Sequence, residues 1–138
     1  NCFLIRNPKD VIFSYIQKNK IENSYSLGFP SQKKLFDYSI NNNLKTIVID
    51  ADDLSNKPRK ILMLLCDKLQ IPFSEKMLKW PKGKRKTDGL WEKVWYKNVQ
   101  SSTKFQSTNK KDYIIPNNLK KIYSECIEIY NEIYQYKI

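Results

Sequence analysis

Apolar and polar positions along this chain fall into blocks whose period changes from segment to segment. Cys2-Phe3-Leu4-Ile5 is a short continuous apolar run, the pattern of a strand buried on both faces. Arg6 ends it, and Asn7-Pro8-Lys9-Asp10 predicts a helix start: a capping Asn, Pro at the first helical position and an acid in the first turn. Val11, Ile12, Tyr15 and Ile16 supply an apolar face for that helix up to about Lys20. Residues 21–30, which include Gly28 and Pro30, read as a loop. Ser31 then opens a second helix through Lys33–Ile40, closed by Asn41-Asn42-Asn43.

Lys45-Thr46-Ile47-Val48-Ile49-Asp50 is rich in β-branched residues and predicts a second strand. Pro58 opens a strong helix with Ile61, Leu64, Leu65 and Leu69 on one stripe and Leu62 and Cys66 beside it, and Pro72 stops it. Residues 73–80 suggest one more short helical piece. Residues 81–112 are polar, basic and aromatic, with few periodic signals. Pro116-Asn117-Asn118 begins a last helix on which Leu119, Ile122, Cys126, Ile129 and Ile133 recur at 3-4-3-4 spacing, with Tyr123, Tyr130 and Tyr134 widening the face. That face docks on a core or forms a coiled-coil seam; two heptads are too few for the seam.

Strand, helix, helix, strand, helix is the order of α/β units built on a parallel sheet. Two strands are few for a finished sheet. The chain also opens on a core-like strand without a Met, so residues 1–138 are expected to be one part of a larger domain. With 41% hydrophobic and 28% charged residues, the composition is that of a soluble globular protein. No apolar run approaches the roughly 18 residues of a membrane span, so no membrane partner is expected for this segment. Cys2, Cys66 and Cys126 are far apart in apolar settings, with no C-x-x-C pair and no His. That pattern argues against zinc and Cys-His chemistry and predicts buried, reduced thiols in a reducing, cytoplasmic setting.

Charge changes the picture more. The net charge is +11, unevenly placed: residues 79–121 hold 12 Lys/Arg against 3 Asp/Glu, whereas residues 122–138 hold 1 against 3. A basic segment in a near-neutral body points to an anionic ligand, either nucleic acid or a phosphorylated small molecule. In open α/β sheets, ligands sit beyond the C-terminal ends of strands. Arg6 stands at such an end, before a helix N-terminus that attracts anions, and Ser14 lies two turns on. Arg6 either binds phosphate there or pairs with an acid such as Asp10, leaving Ser14 to solvent. The second candidate is Trp80-Pro81-Lys82-Gly83-Lys84-Arg85-Lys86-Thr87-Asp88-Gly89-Leu90-Trp91, where two glycines among four bases bring amides and cations to one phosphate or form a solvated loop. Asp50, Asp52 and Asp53 read as caps of the next helix in preference to a metal site. Trp91, Trp95, Tyr96 and Phe105 stack on bases or pack under a loop.

Arg6-Asn7-Pro8-Lys9-Asp10-Val11-Ile12-Phe13-Ser14 resembles the 3′-phosphate-binding segment of sulfotransferases that use 3′-phosphoadenosine 5′-phosphosulfate (PAPS), including the Arg-to-Ser spacing of eight. Ile49-Asp50-Ala51-Asp52-Asp53-Leu54, then Pro58 and the helix to Leu69-Gln70-Ile71-Pro72-Phe73, is similar to the family's next segment. So are Met77-Leu78-Lys79-Trp80-Pro81-Lys82-Gly83, Asp88-Gly89-Leu90-Trp91, Trp95-Tyr96 and Ser102-Thr103-Lys104-Phe105, which are closest to bacterial and fungal branches. The resemblance covers about residues 2–105. Gly83 and Trp91 stand three residues further apart than in cytosolic members, and Lys104 occupies a position that is commonly Gly.

The resemblance implies the C-terminal portion of a three-layer, parallel-sheet P-loop-type fold, mostly helical here. It implies a PAPS-dependent sulfuryl transfer to a hydroxyl or amine on a small-molecule or glycan acceptor, with no metal. Arg6 and Ser14 would bind the 3′-phosphate, and Lys82, Gly83, Lys84, Arg85, Lys86 and Gly89 would close over it. The P-loop for the 5′-phosphosulfate and the catalytic base are not among these residues, so the chain alone is expected to be inactive, its catalytic residues unknown. Two other readings stand beside this one: a basic nucleic-acid-binding module using residues 79–121, and a truncated remnant that folds without activity.

Overall fold

The structure, a computed structural model, describes residues 1–90, 92, 96–107 and 113–138. Strand β1 (Cys2–Ile5) lies parallel to β2 (Ile47–Asp50), with Cys2 opposite Ile47 and Ile5 opposite Asp50. Helix α1 (Pro8–Tyr15), a 3-10 turn at Ser24–Leu27 and α2 (Phe29–Asn41) connect the strands. After β2 come α3 (Ala51–Asn56), α4 (Pro58–Leu69), a 3-10 turn at Glu75–Leu78, α5 (Lys97–Ser101), a 3-10 turn at Asn117–Leu119 and α6 (Lys120–Tyr134). The class is α/β, as the element order predicts. The chain forms two compact units: Asn1–Asp53 with the C-terminal stretch through Ile138, and the segment that begins at Leu54.

In the first unit, Asn7 caps α1 with its side-chain oxygen, which accepts from the Lys9 amide at 2.9 Å. The helix ends at Tyr15 instead of continuing to Lys20. The Tyr15 carbonyl accepts from the amides of Lys18 and Asn19, and residues 17–20 offer no apolar side chain to bury. Part of the loop predicted over residues 21–30 is ordered into a 3-10 turn, and Gly28 at φ +81° ends that turn and starts α2. Pro30 therefore falls in the first turn of α2, where its missing N–H costs nothing, and the helix begins two residues before Ser31.

The core of this unit gathers Ile5, Phe29, Phe36, Val48, Cys126, Tyr130 and Ile133. A smaller cluster holds Ile12, Ile115 and Leu119. Phe36 meets Phe3 and Tyr136 edge to face, at 5.6 and 5.0 Å between ring centroids. The last helix thus docks on the core, as its spacing predicts. Strand β1 departs from expectation: Ile5 is buried, but Cys2 and Leu4 are exposed, because nothing among the described residues covers that side of the strand. Of the three thiols, only Cys66 and Cys126 are buried. Burial, followed by the nearby Glu125 charge, pushes the Cys126 thiol up to about 11, so it stays protonated.

In the second unit, Gln70 at φ +58° closes α4, and the Ile71 amide returns to the Cys66 carbonyl. The apolar stripe read on α4 is only partly covered: Ile61 and Cys66 are buried, whereas Leu64 and Leu69 are exposed. The 3-10 turn at Glu75–Leu78 lies against one side of the helix, with Cys66 Sγ 3.8 Å from Met77 Sδ and Arg59 paired to Glu75.

Asp50, at the end of β2, is buried and fully engaged. Its Oδ1 accepts from the amides of Asp52 (3.0 Å) and Asp53 (3.1 Å), and its Oδ2 accepts from the Tyr130 hydroxyl at 2.8 Å. Burial, then the hydrogen bond to Asp50 and that carboxylate's charge, pushes the Tyr130 hydroxyl well above the usual phenol range. A folded-state value raised above the unfolded one gives a contribution complete below about pH 10 and lost as pH rises above it. Tyr130→Phe should leave Asp50 Oδ2 short of a partner and cost about 1–3 kcal/mol in urea denaturation at pH 7. The variant's stability should also fall less steeply than the wild type's above pH 10; parallel pH curves would refute the assignment.

Candidate functional site

Arg6 follows β1 directly and precedes α1, so strand end and helix start fix its backbone. Its side chain is exposed and lines a hollow of about 210 Å³ with Leu4, Val11, Leu27, Gly28, Phe29 and Gln32. The Gln32 side-chain amide donates to the Leu4 carbonyl at 3.0 Å and closes one wall. Arg6 pairs with no carboxylate among the described residues, so the predicted alternative of an Arg6–Asp10 pair is not formed. An exposed guanidinium at a helix start is suited to bidentate contact with an oxyanion. Ser14, near the end of α1, is exposed and does not line the Arg6 hollow.

The basic loop belongs to the second unit. It is anchored where the Trp80 amide donates to the Thr103 carbonyl at 2.9 Å and the Gly83 amide to the Gln100 carbonyl at 2.8 Å. Gly83 holds φ +107°, a conformation that L side chains rarely adopt. The turn after it is closed by Asp88, whose Oδ2 accepts from the Arg85 amide (3.0 Å) and from Gln100 Nε2 (3.3 Å). The Arg85 amide, then the Gln100 contact, holds the Asp88 carboxyl below its ordinary value. Lys82, Lys84, Arg85, Lys86 and Gly89 are all exposed. They are not uniformly unpaired: Lys84 Nζ meets Glu92 Oε1 at 2.7 Å, while Lys82 and Lys86 have no partner among the described residues. Glu92 and Gln100 carry no motif signal; only their reach to the loop reveals their part in shaping it.

The remaining candidates resolve differently. Of the three acids read as caps, Asp50 alone caps α3; Asp52 and Asp53 lie in its first turn and donate the capped amides, and the Asp53 side chain pairs with Lys137. Among the described residues, no group of three or more His, Cys, Asp or Glu is placed to hold a metal, and no helix is long and apolar enough to cross a membrane. Phe105 packs edge-on against Trp80 at 5.2 Å. Trp91 and Trp95 lie outside the described residues, and Tyr96 precedes α5 as its capping residue.

A family model described as "Sulfotransferase domain" matches residues 1–121. Two Arabidopsis thaliana proteins, branched-chain-amino-acid aminotransferase-like protein 2 and protein 1, are each 34% identical to this chain over 128 residues. The match covers 93% of the chain and 23% of those proteins, so the chain spans under a quarter of their length. In a solved structure, the sulfotransferase domain from the curacin biosynthetic pathway, 52% of the chain superposes on 90% of this one with a TM-score of 0.50 and 21% identity. At that identity the likeness concerns the fold.

The loop geometry generates one prediction. A Cβ at Gly83 meets no atom within 4 Å, so Gly83→Ala introduces backbone strain without a clash. The expected cost is about 1 kcal/mol, close to a fivefold rise in local opening. Hydrogen exchange at residues 80–89 should report it, and unchanged exchange would show that Gly83 does not set the loop's conformation.

Proposed function

This chain belongs to the sulfotransferase-domain family, and we propose that it supplies the 3′-phosphate end of a PAPS-binding site in a sulfotransferase. The observation that carries the reading is Arg6: an exposed guanidinium with no carboxylate partner among the described residues, at a strand end and a helix start. When bound, PAPS provides the sulfuryl group that passes to a hydroxyl or amine acceptor. Arg6 would bind the 3′-phosphate through its planar donors; the resemblance adds the exposed Ser14 hydroxyl of α1, which does not line the Arg6 hollow. The resemblance assigns the basic loop to the same nucleotide; among the described residues Lys82 and Lys86 have no partner, whereas Lys84 is already engaged by Glu92. Gly83 and Gly89 let the loop backbone come close to it. These residues would bind and orient the nucleotide. The curated relatives' names speak of aminotransferase likeness, which is said of proteins more than four times as long as the matched segment.

Two expectations follow for the full-length protein. Arg6→Ala should weaken adenosine 3′,5′-bisphosphate binding by about 1.5–3 kcal/mol, the range for a charged hydrogen bond. Its melting temperature should not change, because the side chain is exposed. Isothermal titration would measure the first and a thermal scan the second; an unaltered affinity would overturn the assignment. Residues 1–138 alone, incubated with labelled PAPS and phenol, alcohol, sugar and amine acceptors, should show no turnover, because in-line positioning and a base are both required. Turnover abolished by Arg6→Ala would instead make this chain a complete enzyme.

A further inference from the structure

The second unit contains a hollow that the nucleotide reading does not use. It measures about 600 Å³ and is lined by Lys79, Trp80, Pro81, Thr103 and Lys104. Lys79 and Lys104 are partners in an isolated antiparallel bridge. Residues directly opposite on an antiparallel pair project from the same face, and like charges placed so repel each other. No carboxylate pairs with either lysine among the described residues. The two ammonium groups thus form a local positive field with no counter-charge among the described residues, and an oxyanion between them would relieve the repulsion.

The wall beside these cations is aromatic and fixed. Trp80 Nε1 donates to Ser102 Oγ (3.2 Å) and to the Val99 carbonyl (3.3 Å), and its ring is met edge-on by Phe105. The indole's one donor is therefore already engaged, leaving ring surface and Pro81 as the apolar lining of the hollow. The Thr103 hydroxyl adds a neutral hydrogen-bonding group beside the lysines. Paired cations, a held indole and a hydroxyl make a chemical match for a hydroxylated ring that bears an anionic group.

We propose that the Lys79–Trp80–Lys104 hollow is a subsite for an acidic sugar, taking a sulfate or carboxylate on the acceptor molecule. This rests on the sulfotransferase reading above and narrows its acceptor class to one that is already anionic. Two lysines suit the role because each ammonium offers three donors on a flexible stem and adapts to either oxyanion. The subsite lies on the anchor of the basic loop: the hydrogen bond from Trp80 to Thr103 that borders the hollow is followed, three residues on, by the one from Gly83 to Gln100.

The test uses the full-length protein, a sulfated disaccharide, its desulfated counterpart and adenosine 3′,5′-bisphosphate, with Lys79→Gln, Lys104→Gln and the double variant. Isothermal titration should show the sulfated disaccharide weakened about three- to tenfold by each single substitution, as for partly exposed charged contacts. The desulfated sugar should bind more weakly and be indifferent to the substitutions, and nucleotide affinity should stay within about twofold of wild type. Melting temperatures without ligand should hold or rise, because a like-charge pair is removed. Equal binding of the two sugars, or insensitivity to both substitutions, overturns the subsite. Parallel loss of nucleotide affinity assigns the hollow to the donor instead, and tighter lysine-dependent binding of an acidic peptide overturns the sugar class. If Arg6→Ala leaves nucleotide binding intact while lysine-dependent sugar binding persists, the nucleotide reading fails and the anion subsite stands.

Discussion

The buried carboxylate of Asp50 is the point on which the first unit depends. It ends β2, caps the start of α3 through two backbone amides and receives the Tyr130 hydroxyl from α6. One side chain therefore joins a strand, the helix that follows it and a helix 80 residues further along the chain. A buried carboxylate is stabilised only when its lone pairs are occupied, so this one side chain couples the positions of the three elements. Because α6 also packs on α1, α2 and both strands, fixing it fixes the frame in which β1 delivers Arg6.

That frame determines what the candidate site can do. Arg6 carries charge outward because its neighbour Ile5 is locked in the core and α1 begins directly after it. In the second unit the same logic operates through hydrogen bonds instead of apolar burial. Residues 80 and 83 are tied to residues 103 and 100, and Asp88 and Glu92 shape the intervening turn. The loop keeps Lys82 and Lys86 facing solvent while Lys84 is used for structure. Lys79 and Lys104 stand opposite each other with no carboxylate partner among the described residues, beside a fixed aromatic wall.

Local chemistry determined much of this in advance. Asn7-Pro8 capped a helix where a capping Asn and an N1 Pro belong, Pro58 and Pro72 bracketed α4, and the 3-4-3-4 spacing of Leu119 to Ile133 gave the docked face of the last helix. The placement of Arg6 between a strand end and a helix start was legible for the same reason: the three are consecutive in sequence. Tertiary structure decided what depends on residues far apart. It exposed Cys2 and Leu4, because burial of a strand's second side is a property of its neighbours and not of its own residues. It made Asp50 an anchor by bringing Tyr130 to it, neutralised Lys84 with Glu92, and set Lys79 opposite Lys104. Periodicity and capping act within a few residues and can be read from order alone; burial, pairing and charge balance are fixed only when distant segments meet.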